Sequence, residues 1–398
     1  MARLARYRFA FAAAVCAQAG LAVADDTVKV GGALLEPVRL GSLPGFHNDD
    51  LRAALDTFRR GCATRQAVPA QPDAAGDTDD LEAACAASNG ITFEKASDFF
   101  EQNFNAYRIL RPDRSGNEIR RGFLTGYFEP ELIGSLVEAP GFTTPALARP
   151  DDLVSFEPGQ SAPGLDPELR AARRIGEGFV PFPTRAEIED GVLGNGTRPV
   201  LWLRDAVDLF VLQVQGSGRV RLPDGRIVRL TYDGKNGRPY TSIGKLIVQE
   251  GHLPLEGLTL PRWTGWLRAH PQEARRLMRA NASYVFFRLE DIADPRLGPP
   301  GAAKAPLTPG RSLAVDGGIW RYGLPFWLEG RLPGGTADGR MVIAQDTGSA
   351  IIGPARGDLF VGTGEAAGIA AGNLRDAVGF VVLLPKHIGK TGTADAAR

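Results

Sequence analysis

Apolar positions recur along this chain with two different periods. Leu51, Leu55 and Phe58 fall at helical spacing behind Asn48 and Asp49, residue types that cap helices, and predict a first helix. A second helix is predicted from Ser97, with Phe100 and Phe104 one turn apart. From Arg121 the texture changes to short β-type runs broken by glycine and proline, at 122–128, 199–203, 209–214 and 219–222. The last leads through Pro223-Asp224-Gly225 into a run at 227–230, a hairpin signal. Helical spacing returns at 241–250, 261–269 and 272–281, followed by a strand at 284–288. Residues 294–310 read as a Pro/Gly linker, and mostly short strands follow to about 385. A polar stretch at 62–90 reads as a loop, and a Pro/Gly-rich one at 135–190 resists assignment. The order helices, strands, helices, strands predicts a mainly β chain with accessory helices. It suits a discontinuous domain with an all-β insertion, or separate α and β lobes.

The first residues add a compartment. Arg3, Arg6 and Arg8 precede an apolar stretch, and Ala22-Val23-Ala24 reads as a cleavage site before Asp25-Asp26. Residues 1–24 are therefore expected to be a secretory signal peptide, too short to span a membrane. Cys16 follows Val15, where a lipobox wants a small residue, so lipid anchoring at Cys16 is not expected. The expectation is an exported, periplasmic protein, with association to the outer membrane left open. The 46 basic and 46 acidic residues cancel and form no basic run, which argues against nucleic acid. His47, His252, His270 and His387 are scattered and no zinc spacing exists, so no metal is expected. Cys62 and Cys85 are expected to pair in an oxidising compartment, two separate buried thiols being the alternative.

Candidate chemistry concentrates at residues 344–373, where Asp346 and Asp358 stand among seven glycines, and at Asp316 after an apolar run. A strand-end aspartate is by itself usually a turn former. Three in one β-rich region suggest acid/base chemistry on an uncharged substrate, since a desolvated carboxyl holds its proton towards neutral pH. The pattern also allows a paired-carboxylate glycosidase. Gly362-Thr363-Gly364-Glu365-Ala366-Ala367 fits a loose dinucleotide fingerprint, but only 31 residues follow and no acid sits about twenty positions on, so no nucleotide is expected. Gln213 and Gln215 read as one face of a strand running into Gly216 and Ser217, where amides could meet sugar hydroxyls or simply face solvent. Tyr127, in Gly126-Tyr127-Phe128-Glu129-Pro130, suits a carbohydrate cleft or a core equally.

Together these residues carry a resemblance. The order GYFEP, LQVQGSG, DGKNGRPYTSIGK, SYVFFR, PLTPGRSLAVD and AQDTGSAIIGPARGDLFVGTGEAAGIAAGN resembles the membrane-bound lytic murein transglycosylase A family, from about Gly122 to Pro385. The C-terminal part resembles that family's three-aspartate domain, a double-psi β-barrel. The resemblance implies a barrel domain formed by 25–130 and 240–398, an inserted β-rich substrate domain at 131–239, and a groove between them for peptidoglycan glycan strands. It implies cleavage without water, leaving 1,6-anhydromuramoyl ends, with Asp358 as the single acid and base, Asp346 supporting it and Asp316 as the third aspartate. Tyr127, Gln213, Gln215, Gly216, Ser217, Gly362 and Gly364 would line the substrate site. A monomer without cofactors is expected, with proteins of the cell-wall machinery as partners left open. The rival readings are a hydrolase using Asp346 and Asp358 as a pair, and a non-catalytic, expansin-like glycan-binding protein. Two positions depart from the family pattern: Ser349 replaces a glycine and Ile352 a lysine.

Overall fold

The computed structural model describes residues 28–113, 115–156, 160–334 and 338–387. The expected leader, Cys16 and the cleavage site lie outside them. Six strands close into a ring: Gly122–Glu129, Arg356–Thr363, Ser312–Ala314, Gly339–Asp346, Pro325–Glu329 and Arg375–Pro385, which returns to the first. The first and third of these junctions are parallel and the other four antiparallel. From Arg375–Pro385 the sheet continues outward through Phe104–Pro112, Ala33–Val38 and Val28–Val30. Met341, Val342, Ile343 and Ala344 are all fully buried, as expected of a strand covered on both faces, which reads as a continuous apolar run rather than an alternating one. A closed barrel joined to a second β unit is the mainly β architecture expected from the sequence.

The predicted first helix spans Leu51–Thr64 and buries Leu51, Leu55 and Phe58. Its cap is Asp50, which accepts from the Ala53 N–H; Asp49 instead takes the Arg311 guanidinium at 2.7 and 2.8 Å. Phe58 packs against Phe99, Phe100 and Phe104, but Phe104 opens a strand instead of closing the second helix, Ala96–Asn103. The stretch 62–90 is not all loop. It holds a helix, Thr78–Ser88, capped by Asp77, and a disulfide between Cys62 and Cys85 ties it to the first helix. Alanines spread around that short helix give it no clear apolar stripe to read.

The second sheet runs in the order Val285–Asp291, Ile227–Lys235, Gly218–Arg221, Glu131–Ser135, Pro199–Leu203 and Thr144–Leu147. The unassigned stretch contributes a small sheet of Leu153–Ser155, Ala171–Ile175 and Gly178–Pro181. The strand Val285–Asp291, beyond residue 239, pairs along Ile227–Lys235 in this sheet. The helices Ile243–Gln249, Leu260–Ala269 and Pro271–Ala280 share a core with Val207 and Phe210.

The run expected as a strand at 209–214 is a helix, Ala206–Gln215. Asp205 caps it by accepting from the Asp208 N–H, and Gly216, at φ 86°, ends it. An apolar run with no polar stripe cannot distinguish a buried helix from a buried strand, and here burial nearly all round erased the helical period.

One buried carboxylate rivets the two units. Glu129, only 1% exposed, accepts from Arg219 at 2.8 Å and Arg229 at 2.5 Å, both on the second sheet, and from Thr363 Oγ1 at 2.9 Å in the barrel. The same arginines donate to the carbonyls of Pro295 and Leu297, where the chain returns to the barrel.

Candidate active site

Strand Arg356–Thr363 lies parallel to Gly122–Glu129 and sets Asp358 opposite Thr125 and Phe360 opposite Tyr127. Thr125 Oγ1 donates to Asp358 Oδ1 at 2.6 Å while accepting from Arg356 at 2.8 Å. A guanidinium can only donate, so it leaves the single threonine proton directed at the carboxylate. Two residues along, the Tyr127 hydroxyl donates to Asp346 Oδ2 at 2.7 Å, and its ring packs on Phe360 with centroids 5.4 Å apart. The Ala302 N–H donates to the other oxygen of Asp346 at 3.0 Å.

The two aspartates come from strands on either side of Ser312–Ala314, and Ala314 is in register with both. Burial pushes Asp358 up to about 6, against the pull of the Thr125 hydroxyl and Arg356, and the charge of Asp346 adds to the rise. Burial also raises Asp346, opposed by the Tyr127 hydroxyl, by the N–H groups of Thr347 and Ala302, and by Lys304. The Tyr127 hydroxyl itself is held well above its usual range by burial and by Asp346. Asp358 thus holds its proton closer to neutral pH than an ordinary carboxyl does. Asp346 beside it accepts two hydrogen bonds, from Tyr127 and Ala302.

Asp316 does not join this pair. Its carboxylate accepts from the N–H groups of Gly318 at 3.1 Å and Gly353 at 2.8 Å, which pins the loop leaving Asp346. The expected amide-lined face is also absent. Gln213 is 4% exposed and donates to the Val285 carbonyl, while Gln215 accepts from the Phe128 N–H. Two residues apart on a helix, their side chains point in nearly opposite directions. Gly216 serves as the helix cap, and the buried Ser217 hydroxyl accepts from the Tyr232 N–H.

Gly362, buried in the Asp358 strand, and the buried Gly364, which opens the helix Gly364–Asn373, both have positive φ, 146° and 85°. That helix lies so close to Gly122–Glu129 that a Cβ on Gly126 would come within 2.9 Å of Ala371, and one on Gly368 within 2.8 Å of Phe128. Part of the glycine density that drew attention in the sequence serves this close packing.

Thr125, Arg356, Ala302 and the Glu129 cluster escaped the sequence reading. Thr125 had one available signal: it sits two residues before Tyr127, hence on the same face of a strand. Among the described residues one group has the spacing to hold an ion, Glu250, His252 and Glu273. Arg276 already pairs with both glutamates there.

The MltA-specific insert domain matches residues 123–288, and the 3D domain matches residues 311–384. A membrane-bound lytic murein transglycosylase from Agrobacterium tumefaciens, solved by crystallography, is 35% identical with a TM-score of 0.78, covering 88% of this chain and 97% of that one. A monoclinic crystal form of MltA from Neisseria gonorrhoeae is 31% identical with a TM-score of 0.72, covering 90% and 94%. The membrane-bound lytic murein transglycosylase A of Vibrio cholerae is 34% identical over 203 residues, 48% of this chain and 53% of its own length. The chain thus spans about half the length of the curated relatives it matches. With a relative of known structure 35% identical along almost its whole length, the chain belongs to the membrane-bound lytic murein transglycosylase A family.

Proposed function

We propose that this chain is a lytic transglycosylase of the bacterial envelope, cleaving the β-1,4 bond between N-acetylmuramic acid and N-acetylglucosamine in peptidoglycan. The single observation that carries the reading is Asp358, a carboxyl pushed up to about 6 and given one neutral donor beside a second aspartate. A group that must give a proton and then take one back works best with a pKa near the ambient pH.

In the first half of the reaction Asp358 protonates the glycosidic oxygen and the bond to C1 breaks. In the second half the Asp358 carboxylate takes the proton of the muramoyl C6 hydroxyl, and O6 closes onto C1. One bond to C1 is exchanged for another, the proton returns to Asp358, and no water is consumed. An attacking hydroxyl within the same sugar needs no second carboxylate to fix it, since proximity does so. Hydrogen bonds from Tyr127 and Ala302 favour the charged form of Asp346 against its burial, and in that form it steadies the cationic C1. On this reading Tyr127 positions Asp346, and the glycan lies between the barrel and the inserted sheet.

The test is the Asp358→Asn variant. Release of soluble fragments from peptidoglycan should stop while co-sedimentation with the insoluble wall persists. Fragment release at the wild-type rate would remove Asp358 from the mechanism. The placement of Asp346 and Asp358 on either side of Ala314 keeps a paired-carboxylate hydrolase as the second reading, distinguished by whether water enters the product.

A further inference from the structure

Lys235 ends the strand Ile227–Lys235 of the insert, and its ammonium crosses to the barrel to donate to Ser349 Oγ at 2.6 Å. Ser349 lies in the exposed loop that leaves Asp346. Lys235 is half-buried, yet among the described residues no carboxylate lies within ion-pairing distance of it. Its charged neighbour is Arg170, whose backbone N–H bonds to the carbonyl of Gly237, two residues beyond Lys235. Burial and the like charge of Arg170 both depress the Lys235 pKa.

Three arginines near this strand are committed. Arg149 donates to the carbonyls of Asp233 and Leu153, Arg173 pairs with Asp152, and Arg288 pairs with Asp233 and Glu290. Among the described residues Arg170 holds no such partner, and Lys235 holds one neutral hydroxyl. Two neighbouring cations, one of them enclosed, are unfavourable without an anion to complete them. Unmatched charges of this kind concentrate at binding sites.

Resting on the transglycosylase reading, we infer that Lys235 and Arg170 form an anion subsite for a carboxylate of the peptide stem carried by the muramoyl residue. The glycan backbone of peptidoglycan is uncharged, and its carboxylates sit on the peptides attached to the muramoyl lactyl group. A cation pair beside the Asp346 loop would therefore read the stem and leave the sugar to other groups.

Calorimetry with two soluble probes tests this. One is a GlcNAc–MurNAc disaccharide bearing a tetrapeptide stem, and the other is the same disaccharide with its lactyl group capped as the simple amide, so that it carries no carboxylate. The wild-type chain should bind the stem-bearing probe roughly tenfold more tightly, as expected for losing a charge-assisted contact. The Lys235→Met/Arg170→Gln double variant should lose that preference, whereas Ser349→Ala, which leaves both cations in place, should keep it. Equal wild-type affinity for the two probes would overturn the subsite, as would a preference that survives in the double variant. Turnover of glycan strands stripped of their peptides reports the transglycosylase reading separately. Its absence would sink that reading while the binding comparison still stood.

Discussion

Strand Gly122–Glu129 serves two acidic clusters that differ in how their charge is met. At its end, Glu129 is sealed from water and faces two guanidinium groups and a hydroxyl. A few residues earlier, Thr125 and Tyr127 offer single neutral hydroxyls to Asp358 and Asp346, which remain partly open to solvent. Where cations match the carboxylate, the result is a fixed joint between barrel and insert. Where only hydroxyls and backbone amides meet it, burial dominates, and the carboxyl keeps its proton to higher pH. Matched charge joins the two units, and unmatched charge leaves a carboxyl with a raised pKa.

The contrast is broken most severely at Asp358. Asparagine there should lower turnover by about 10³-fold or more, the upper range for loss of a general acid and base. The same change should stabilise the fold at pH 7. Asp358 holds its proton in the folded chain up to about 6, above the ordinary carboxylate range, so the unfolded chain releases that proton first as pH rises. Stability therefore falls across the window from about 4 to 6, and a side chain with no proton to lose escapes that fall. Thermal melts should favour Asp358→Asn at pH 7 and show no gain at pH 3.5. A variant less stable than wild type at pH 7 would contradict the account of burial.

At the matched cluster the effect should be structural. Glu129→Ala leaves Arg219 and Arg229 buried without their anion, and breaking such a pair costs about 3–5 kcal/mol. Urea unfolding should show it, and an unchanged midpoint would mean that Glu129 is no rivet. Removing the disulfide by Cys62→Ala/Cys85→Ala should cost somewhat less, about 3 kcal/mol for a link across 23 residues. The finest readout is the pH dependence of kcat/KM in Asp346→Asn. Loss of that negative neighbour lowers the Asp358 pKa, so the alkaline limb should move to lower pH. A move to higher pH would reverse the assignment of the two aspartates.

Much of this arrangement can be read from the chain, and the failures have physical causes. Helix Leu51–Thr64 is legible because it lies on the barrel with one buried side, so Leu51, Leu55 and Phe58 stand out. Helix Ala206–Gln215 is not, because its surroundings are apolar nearly all round; only Asp205 and Gly216 mark its ends. The aspartates are legible as a cluster because their glycine-dense segment is long and distinctive, and the family resemblance rests on it. Their donors are not, because each pairing crosses strands far apart in the chain. Thr125 and Asp358 are 233 residues apart, and Glu129 meets Arg219 and Arg229 at 90 and 100. The shared strand face expected of Gln213 and Gln215 gives way to the helix Ala206–Gln215.

The central claim is that Asp358 cycles one proton without water. It is tested most directly by mass spectrometry of muropeptides released from purified peptidoglycan in ¹⁸O-labelled water. The products should be one water lighter than their hydrolytic counterparts, ending in 1,6-anhydromuramic acid and carrying no label. Reducing ends with ¹⁸O at C1 would contradict it and make Asp346 and Asp358 the paired carboxylates of a hydrolase.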